Sequence, residues 1–373
     1  MTAMRDARGF DHAAPPATGI LLTNVGTPDA PTAPALRKYL AEFLSDPRVI
    51  EKQGLAWKAI LHGIILRTRP RHSAAAYRHI WTDAGSPLLA ILKKQATLLQ
   101  ERLSDRFGNP IRVEIGMGYG SPSIDIGLTR LAEAGCERLL VFPLYPQYAA
   151  ATVGSTFDAV AASLRQTRWV RPLRFISGYH DHAGYIAALA ASIRESWSKN
   201  GKAERLLLSF HGLPKEALTK GDPYHCHCLK TARLVWDSLG LPEAERHLGF
   251  QSRFGRQEWL QPYTAEVLRD WARSGVATVD VVCPGFSADC LETLEEIAVE
   301  YAGYFKEAGG KALHYIPALN ERPDHVEALA DIAALHLGEW CTSRVEWDGR
   351  LFALEARQRH ERADRERQRG FNG

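Results

Sequence analysis

The stretch Leu206-Leu207-Leu208-Ser209-Phe210-His211-Gly212-Leu213-Pro214 shows the pattern that recurs along the whole chain. A short, mostly apolar run ends at a histidine, and a turn rich in glycine and proline follows. Such a run, bounded by turn residues, is typical of an interior β-strand. The sequence therefore predicts a strand over residues 206–210, with His211 at its carboxyl end.

Seven further apolar, β-rich runs lie at residues 19–23, 111–117, 138–142, 172–176, around Phe250, 278–283 and 312–316. Amphipathic helical stretches alternate with them, at residues 88–107, 123–134, 182–199, 229–239, 262–274 and 288–308. This alternation indicates parallel sheets with crossover helices. We predict an α/β fold of two Rossmann-like domains, each with a mainly parallel four-stranded sheet flanked by helices, and an active-site cleft between them.

The length of 373 residues suits two domains. We predict domain 1 over residues 15–178 and domain 2 over residues 179–322. A C-terminal helix is expected over residues 323–345, packing back on domain 1. A charged tail follows over residues 346–373, where arginines alternate with acidic residues, and it is expected to be a frayed helix or disordered.

The composition excludes several classes of protein. Hydrophobic residues make up 45% of the chain and charged residues 24%, as in ordinary soluble globular proteins. The net charge is only +3 and no nucleic-acid motif is present, so we expect no nucleic-acid partner. Residues 1–18 lack the apolar core of a secretory signal and no run is long enough to span a bilayer, which favours the cytoplasm. The six scattered cysteines are expected to be reduced thiols.

Two features could carry chemistry. His211 at a strand end suits proton transfer or metal ligation near neutral pH, although its position alone favours a histidine that is hydrogen-bonded in a loop. Four carboxylates are spaced to lie along one face of the helix expected from residue 288, which indicates either an acidic functional ladder or a solvated outer face. They are Asp289, Glu292, Glu296 and Glu300.

Two other patterns are weaker. Residues 224–228 read Tyr-His-Cys-His-Cys, but no second ligand pair follows at zinc-site spacing, so we expect a loop leading into the helix from Leu229. Residues 116–120 lack the spacing of a dinucleotide fingerprint, which disfavours nucleotide chemistry.

Residues 55–66 are strongly apolar but only about half as long as a membrane span. Arg67, Arg69, Arg71 and His72 follow directly. An apolar segment beside a basic run suits either burial in the core or a surface seated on anionic lipid headgroups.

Six short segments stand out as a set: LTNVGTP at 22–28, PLYPQY at 143–148, SFHGLP at 209–214, GDPY at 221–224, FQSR at 250–253 and GFSADCLETL at 285–294. Together, and in this order, they resemble the ferrochelatase family over residues 18–337. The resemblance implies a bacterial-type ferrochelatase, a lyase of haem biosynthesis that inserts ferrous iron into protoporphyrin IX and releases two protons. Coproporphyrin is the alternative substrate. A cobalt chelatase, or a carrier that binds porphyrin or metal without turnover, is the alternative function.

The resemblance also assigns site residues. His211, Glu292 and Glu296 correspond to the family's catalytic groups, with His211 and Glu292 in contact with the metal. Porphyrin contacts are assigned to Val25, Tyr119, Phe250 and Ser252.

Departures from the family pattern carry further expectations. Iron–sulfur members have a cysteine where this chain has Ala150 and a C-terminal cysteine cluster where it has only Cys341, so no obligatory cofactor and no iron–sulfur cluster are expected. Cys290 stands where many relatives carry histidine, and Gly118 where many carry arginine, which leaves iron delivery and porphyrin contacts open.

Residues 55–66 resemble the hydrophobic lip of relatives that take protoporphyrin from a membrane. Peripheral contact with the inner face of the membrane and a partner enzyme of the same pathway are therefore expected.

Overall fold

The computed structural model describes residues 16–51, 53–255 and 257–369. It contains two four-stranded sheets in which every neighbouring pair of strands is parallel. Sheet 1 has the order β2-β1-β3-β4, with β1 Ala17–Thr27, β2 Ile111–Gly120, β3 Cys136–Pro143 and β4 Leu173–Phe175. Sheet 2 has the order β6-β5-β7-β8, with β5 Arg205–His211, β6 His247–Gln251, β7 Thr278–Val282 and β8 Ala312–Ile316.

Helices flank both sheets. Those of the first half are α1 Ala33–Leu44, α2 Leu55–Ile60, α3 Leu66–Ile80, α4 Pro87–Arg106, α5 Ile124–Glu133 and α6 Ser155–Leu164. Those of the second half are α7 Ala183–Asn200, α8 Lys215–Thr219, α9 Tyr224–Leu239, α10 Thr264–Arg273, α11 Ala302–Glu307, α12 Pro323–Leu337 and α13 Gly349–Gln368. Within the described ranges, π-helical segments occur at Leu61–Ile65, Ala150–Gly154 and Glu292–Tyr301, and short 3₁₀ turns at Glu243–Glu245 and Gly338–Trp340.

Successive side chains of the central strands point to opposite faces of the sheet and pack into different hydrophobic cores. Leu206, Leu208 and Phe210 of β5 point into one large cluster, whereas Leu207 points into a separate cluster under α10 and α11. The period of two follows from strand geometry. The large cluster also contains Ile20 and Leu22 of β1, so the inner faces of the two sheets share one core. Full burial of each such side chain contributes roughly 1.5–3 kcal/mol.

These strands confirm the predicted α/β fold with two parallel four-stranded sheets. The expectation of a loop over residues 224–228 is wrong, because α9 already begins at Tyr224. The helix start has a local cause: the Asp222 carboxylate accepts a hydrogen bond from the Tyr224 backbone N–H at 3.0 Å, and Pro223 precedes the first turn. The charged tail forms helix α13 as far as Gln368, and residues 370–373 lie outside the described ranges.

Helix α12 contacts both halves of the chain. It packs against α4 and α7, and Arg106 of α4 forms ion pairs with Glu327 and, at 2.8 Å, with Asp331. Nearby, the buried Gln95 side chain donates to the carbonyl of Asn320 at 2.9 Å and to that of Ser287 at 3.0 Å. These contacts place the C-terminal helix against domain 1, while the exact domain borders stay a prediction.

Candidate active site

The carboxyl ends of β1 and β7, one from each sheet, lie side by side. The Asn24 side chain at the end of β1 donates to the Ser287 hydroxyl at 3.5 Å. From the other half, the Tyr185 hydroxyl donates to the carbonyl of Pro284 at 2.5 Å. In open α/β sheets, ligands bind beyond the carboxyl ends of the strands. The two sheets therefore present their ligand-binding edges to a common region.

His211 is the last residue of β5 and is half-buried. Its Nδ1 lies 2.6 Å from the carbonyl oxygen of Gly212. A carbonyl oxygen can only accept, so Nδ1 carries the proton and the neutral imidazole keeps its lone pair on Nε2. The ring lies 6.4 Å from that of Phe286, on the loop after β7. The chemistry of His211 is thus available at Nε2.

Glu292 opens the π-helix Glu292–Tyr301. Burial raises the pKa of Tyr77 on α3, and the charge of Glu292 raises it further. The same carboxylate adds to the effect of burial in raising the pKa of the Cys290 thiol. Glu292 therefore lies close to α3, which belongs to predicted domain 1.

Glu296 follows one turn later and is held by hydrogen bonds from described residues. Ser252 donates to it through its backbone N–H at 2.7 Å and its hydroxyl at 2.6 Å. The Tyr301 hydroxyl donates at 2.8 Å and the Gln251 amide at 3.3 Å. Burial raises the pKa of Glu296; the donors Ser252 and Tyr301 and the nearby His211 oppose that rise, and Glu292 adds to it. His211 and Glu292 thus both act electrostatically on the Glu296 carboxylate.

The expectation that four carboxylates share one functional face is wrong for two of them. Asp289 precedes the helix and accepts hydrogen bonds from the Tyr315 hydroxyl at 2.6 Å and the Asn320 amide at 2.7 Å, so it fastens the loop after β7 to the loop after β8. Glu300 is exposed and accepts from the Tyr304 hydroxyl. The π-helical winding departs from the α-helical geometry on which the spacing argument depended.

The residues assigned to porphyrin contact occupy different environments. Val25 and Tyr119 lie in the cluster formed beneath α1 and α3, which also contains Leu291. The Tyr119 hydroxyl donates to Asp46 at 2.7 Å. Ser252 is engaged by Glu296. Phe250 is only 1% exposed and packs in the core between Phe210 and His225, so its ring is not on a free surface.

Of the Tyr-His-Cys-His-Cys stretch, Tyr224 contacts this site, since its hydroxyl donates to the His211 backbone carbonyl at 2.8 Å, whereas His227 and the two cysteines have other surroundings. The His227 ring stacks on that of His180, with centroids 3.7 Å apart, and its Nδ1 accepts the Tyr148 backbone N–H at 3.2 Å. Burial lowers the pKa of His227 and raises that of the Cys228 thiol well above its usual range. Cys226 is exposed.

The apolar segment 55–66 has two faces. Leu61 and Leu66 are 1% and 5% exposed and pack under α1, whereas Leu55, Ile60 and Ile64 are 86%, 44% and 59% exposed. Arg67, Arg69, Arg71 and His72 are all exposed on the helix that follows. The segment was expected to be either buried in the core or exposed at the surface. One of its faces is buried and the other is exposed. No helix within the described ranges is long and apolar enough to cross a membrane.

Comparison with known proteins decides the family. The sequence profile of ferrochelatase matches residues 17–337. The chain belongs to the ferrochelatase family. It is 53% identical over 349 residues to the ferrochelatase of Thioalkalivibrio sulfidiphilus strain HL-EbGR7, covering 93% of this chain and 95% of that protein. It is 55% identical over 322 residues to the ferrochelatase of Nitrosococcus oceani strain ATCC 19707, covering 86% and 87%.

A solved structure shares the fold of this ferrochelatase-family chain. SirB from Bacillus subtilis with Fe³⁺ superposes with a TM-score of 0.50 at 13% identity, covering 87% of this chain and 97% of that one. The predicted family and fold class are confirmed.

Sequence reasoning missed two residues of the site. Gln251 and Tyr301 both donate to Glu296, yet neither was selected as a candidate. Gln251 carried a readable signal, since it ends a strand inside the FQSR segment. Tyr301 carried none, because it lies five residues after Glu296 and reaches it through the π-helical turn.

Proposed function

We propose that the ring substrate is protoporphyrin IX, and that His211, Glu292 and Glu296 of this ferrochelatase-family enzyme perform the insertion of iron. Family membership establishes that the enzyme inserts iron into a porphyrin in haem biosynthesis. The reaction replaces two pyrrole protons by one ferrous ion, so the site must accept two protons and admit a cation. The observation that carries the assignment of residues is the grouping of His211, at the end of β5, with two carboxylates of the π-helix that follows β7.

His211 accepts a pyrrole proton at Nε2 in this proposal. The carbonyl of Gly212 holds the Nδ1 proton at 2.6 Å, which fixes the tautomer with the free lone pair. A positioned base of this kind typically contributes about 10²–10⁴-fold to a rate. Since one lone pair serves one partner at a time, Nε2 either accepts this proton or ligates ferrous iron transiently, with Glu292 as the second metal contact.

Glu296 receives a proton from the reacting centre and passes it on. Its pKa is raised by burial, which brings a carboxylate closer to the range in which it can exchange a proton. Because the hydroxyls of Ser252 and Tyr301 can reverse their hydrogen bonds, they can accommodate a protonated Glu296. Glu292 lies one turn earlier on the same π-helix.

Porphyrin contacts are proposed for Val25, Tyr119 and Ser252, which come from both halves of the chain. A ring held between two rigid walls can be bent, and bending exposes its nitrogen lone pairs to the metal. We assign Phe250 a supporting role behind the wall, because its ring is buried between Phe210 and His225.

The decisive experiment is anaerobic spectroscopy of the purified enzyme with ferrous iron and either protoporphyrin IX or coproporphyrin. Repeated conversion of free-base protoporphyrin to haem supports the proposal. A clear preference for coproporphyrin refutes the substrate assignment. Stoichiometric binding of either ring without turnover supports a carrier and contradicts catalysis.

We further propose peripheral attachment to anionic membranes on the cytoplasmic side, through the exposed face of residues 55–66. Leu55, Ile60 and Ile64 offer apolar surface, and three exposed arginines follow, each worth about 1 kcal/mol near an anionic surface. Leu55→Ser combined with Ile64→Ser should weaken sedimentation with phosphatidylglycerol vesicles. Leu335→Ser is the matched control, since Leu335 is 76% exposed on α12. Equal sedimentation of both variants would contradict this attachment.

The absence of a resident cofactor, including an iron–sulfur cluster, also stays a proposal. It is supported by the position of Cys341, which is 7% exposed and contacts the Thr18 hydroxyl through its sulfur at 3.8 Å. Assay of acid-labile sulfide in protein purified without oxygen tests it. The proposed partner enzyme of the same pathway is tested by co-purification with and without added porphyrin.

A further inference from the structure

We infer that Gln251 is a positioning residue that holds His211, Glu292 and Glu296 in one arrangement, by joining the turn after β5 to the first turn of the π-helix. The inference rests on the proposed catalytic roles of those three residues. Gln251 ends β6, pairs in register with His211 of β5, and is 1% exposed.

The orientation of the Gln251 amide is determined by its neighbours. Its Nε2 lies 2.9 Å from the backbone carbonyl oxygen of Glu292 and 3.3 Å from the carboxylate of Glu296. A carbonyl oxygen only accepts, so the NH₂ group must be on this side. On the other side, Oε1 accepts from the Ser209 hydroxyl at 2.8 Å and the Cys283 thiol at 3.4 Å. The amide's two N–H groups therefore serve one acceptor each, on successive turns of the π-helix.

The backbone of Gln251 reaches His211 from the other direction. Its carbonyl oxygen accepts the Gly212 N–H at 2.8 Å. The carbonyl of the same Gly212 accepts the Nδ1 proton of His211. Gln251 is thus connected by hydrogen bonds to His211, through Gly212, and directly to the turns of the π-helix that carry Glu292 and Glu296.

These contacts matter because the Gln251 side chain is buried. With the side chain of Gln251 out of reach of bulk water, no solvent molecule replaces its N–H groups when they are removed. The first turn of the π-helix and the Glu296 carboxylate would then gain rotational freedom relative to His211. Loss of a supporting contact of this type typically lowers activity by about 10–100-fold.

Gln251→Met tests the inference, because it keeps the length of the side chain and removes both N–H donors. Gln95→Met is the matched control: Gln95 is also fully buried and also donates to two groups, the backbone carbonyls of Ser287 and Asn320, neither of which belongs to the π-helix or to the turn after β5. Both variants should show a similar fall in melting temperature. Only Gln251→Met should lose roughly tenfold or more in kcat per porphyrin-binding site, while its KM for porphyrin and its porphyrin Kd stay within about twofold of wild type.

The inference is overturned if Gln251→Met retains wild-type kcat, if its loss is entirely in KM, or if Gln95→Met loses as much kcat. Failure of the wild-type enzyme to turn over would instead refute the proposed function. Should Gln251→Met not fold, Gln251→Asn replaces it. That variant keeps a buried amide but withdraws the N–H groups by one methylene, and the same loss confined to kcat is expected.

Discussion

Gly212→Ala should slow metal insertion about tenfold, although it adds one methyl group and removes no functional group. A Cβ atom built at this position lies 2.7 Å from the backbone carbonyl oxygen of Gln251 and 3.0 Å from Cε3 of Trp259. Neither neighbour is the flexible end of a side chain. The backbone must therefore move by roughly 0.5 Å to relieve the closer of these two contacts.

That movement falls on the turn that holds the His211 imidazole, for which we propose a catalytic role. The Gly212 N–H donates to Gln251 and its carbonyl holds Nδ1 of His211 at 2.6 Å. A misplacement of about 1 Å can cost about 10²-fold in rate, so half that shift corresponds to about tenfold, or roughly 1.4 kcal/mol in the activation barrier. Overpacking should also lower the free energy of unfolding, by roughly 1–3 kcal/mol.

The assay is anaerobic metal insertion followed by absorbance, with a denaturant titration on the same preparation. Gly303→Ala is the matched control, because a Cβ at Gly303 in α11 meets nothing within 4 Å. That control should retain wild-type kcat and gain roughly 0.5–1 kcal/mol in stability. Wild-type kcat in Gly212→Ala would show that the turn tolerates displacement, and would refute the argument that its geometry sets the rate.

Three further predictions follow from the site and the core. His211→Ala should abolish insertion while leaving porphyrin binding, measured by fluorescence quenching, within about twofold of wild type; a substantially active variant contradicts its role. Glu292→Gln should slow turnover more than Glu296→Gln, and equal or reversed losses in kcat contradict the graded roles. Burial lowers the pKa of His325 from 6.5 to about 4, so the unfolded chain binds this proton first. Stability should therefore fall as the pH drops from 6.5 to 4, by roughly 3 kcal/mol. In His325→Asn, urea titrations should show that the free energy of unfolding falls much less over this pH range. The same pH dependence as in the wild type would contradict the role of His325.

The sheets could be predicted because their signal is local. In a parallel sheet both faces are covered, so each strand is a short apolar run closed by turn residues. Residues 206–210 show this clearly, and the observed strand differs by one residue at each end. The position of His211 at a strand end follows from the same pattern, which is why the sequence could identify it.

The start of α9 was missed although its signal was local as well. Asp222 followed by Pro223 is a typical helix start, and the Asp222 carboxylate does bind the Tyr224 N–H. The cysteines and histidines of residues 225–228 drew the interpretation toward a loop that leads into the helix from Leu229. Asp289 is different: its partners Tyr315 and Asn320 lie more than 25 residues away, so no pattern around it could show that it fastens two loops.

The π-helix could not be predicted from the sequence, since its winding is accompanied by tertiary contacts with residues distant in the sequence. Long π-helical runs are rare, yet this one covers Glu292–Tyr301. Gln251 binds the Glu292 carbonyl, Ser252 binds the Glu296 carboxylate, and Tyr301 closes on Glu296 from the far end of the segment. The contacts that orient the Glu296 carboxylate are therefore the contacts that brace the unusual helix. It follows that a substitution at Gln251 or Ser252 changes the helix and the carboxylate together, and that the spacing of the acidic residues alone could not have shown which of them these residues hold.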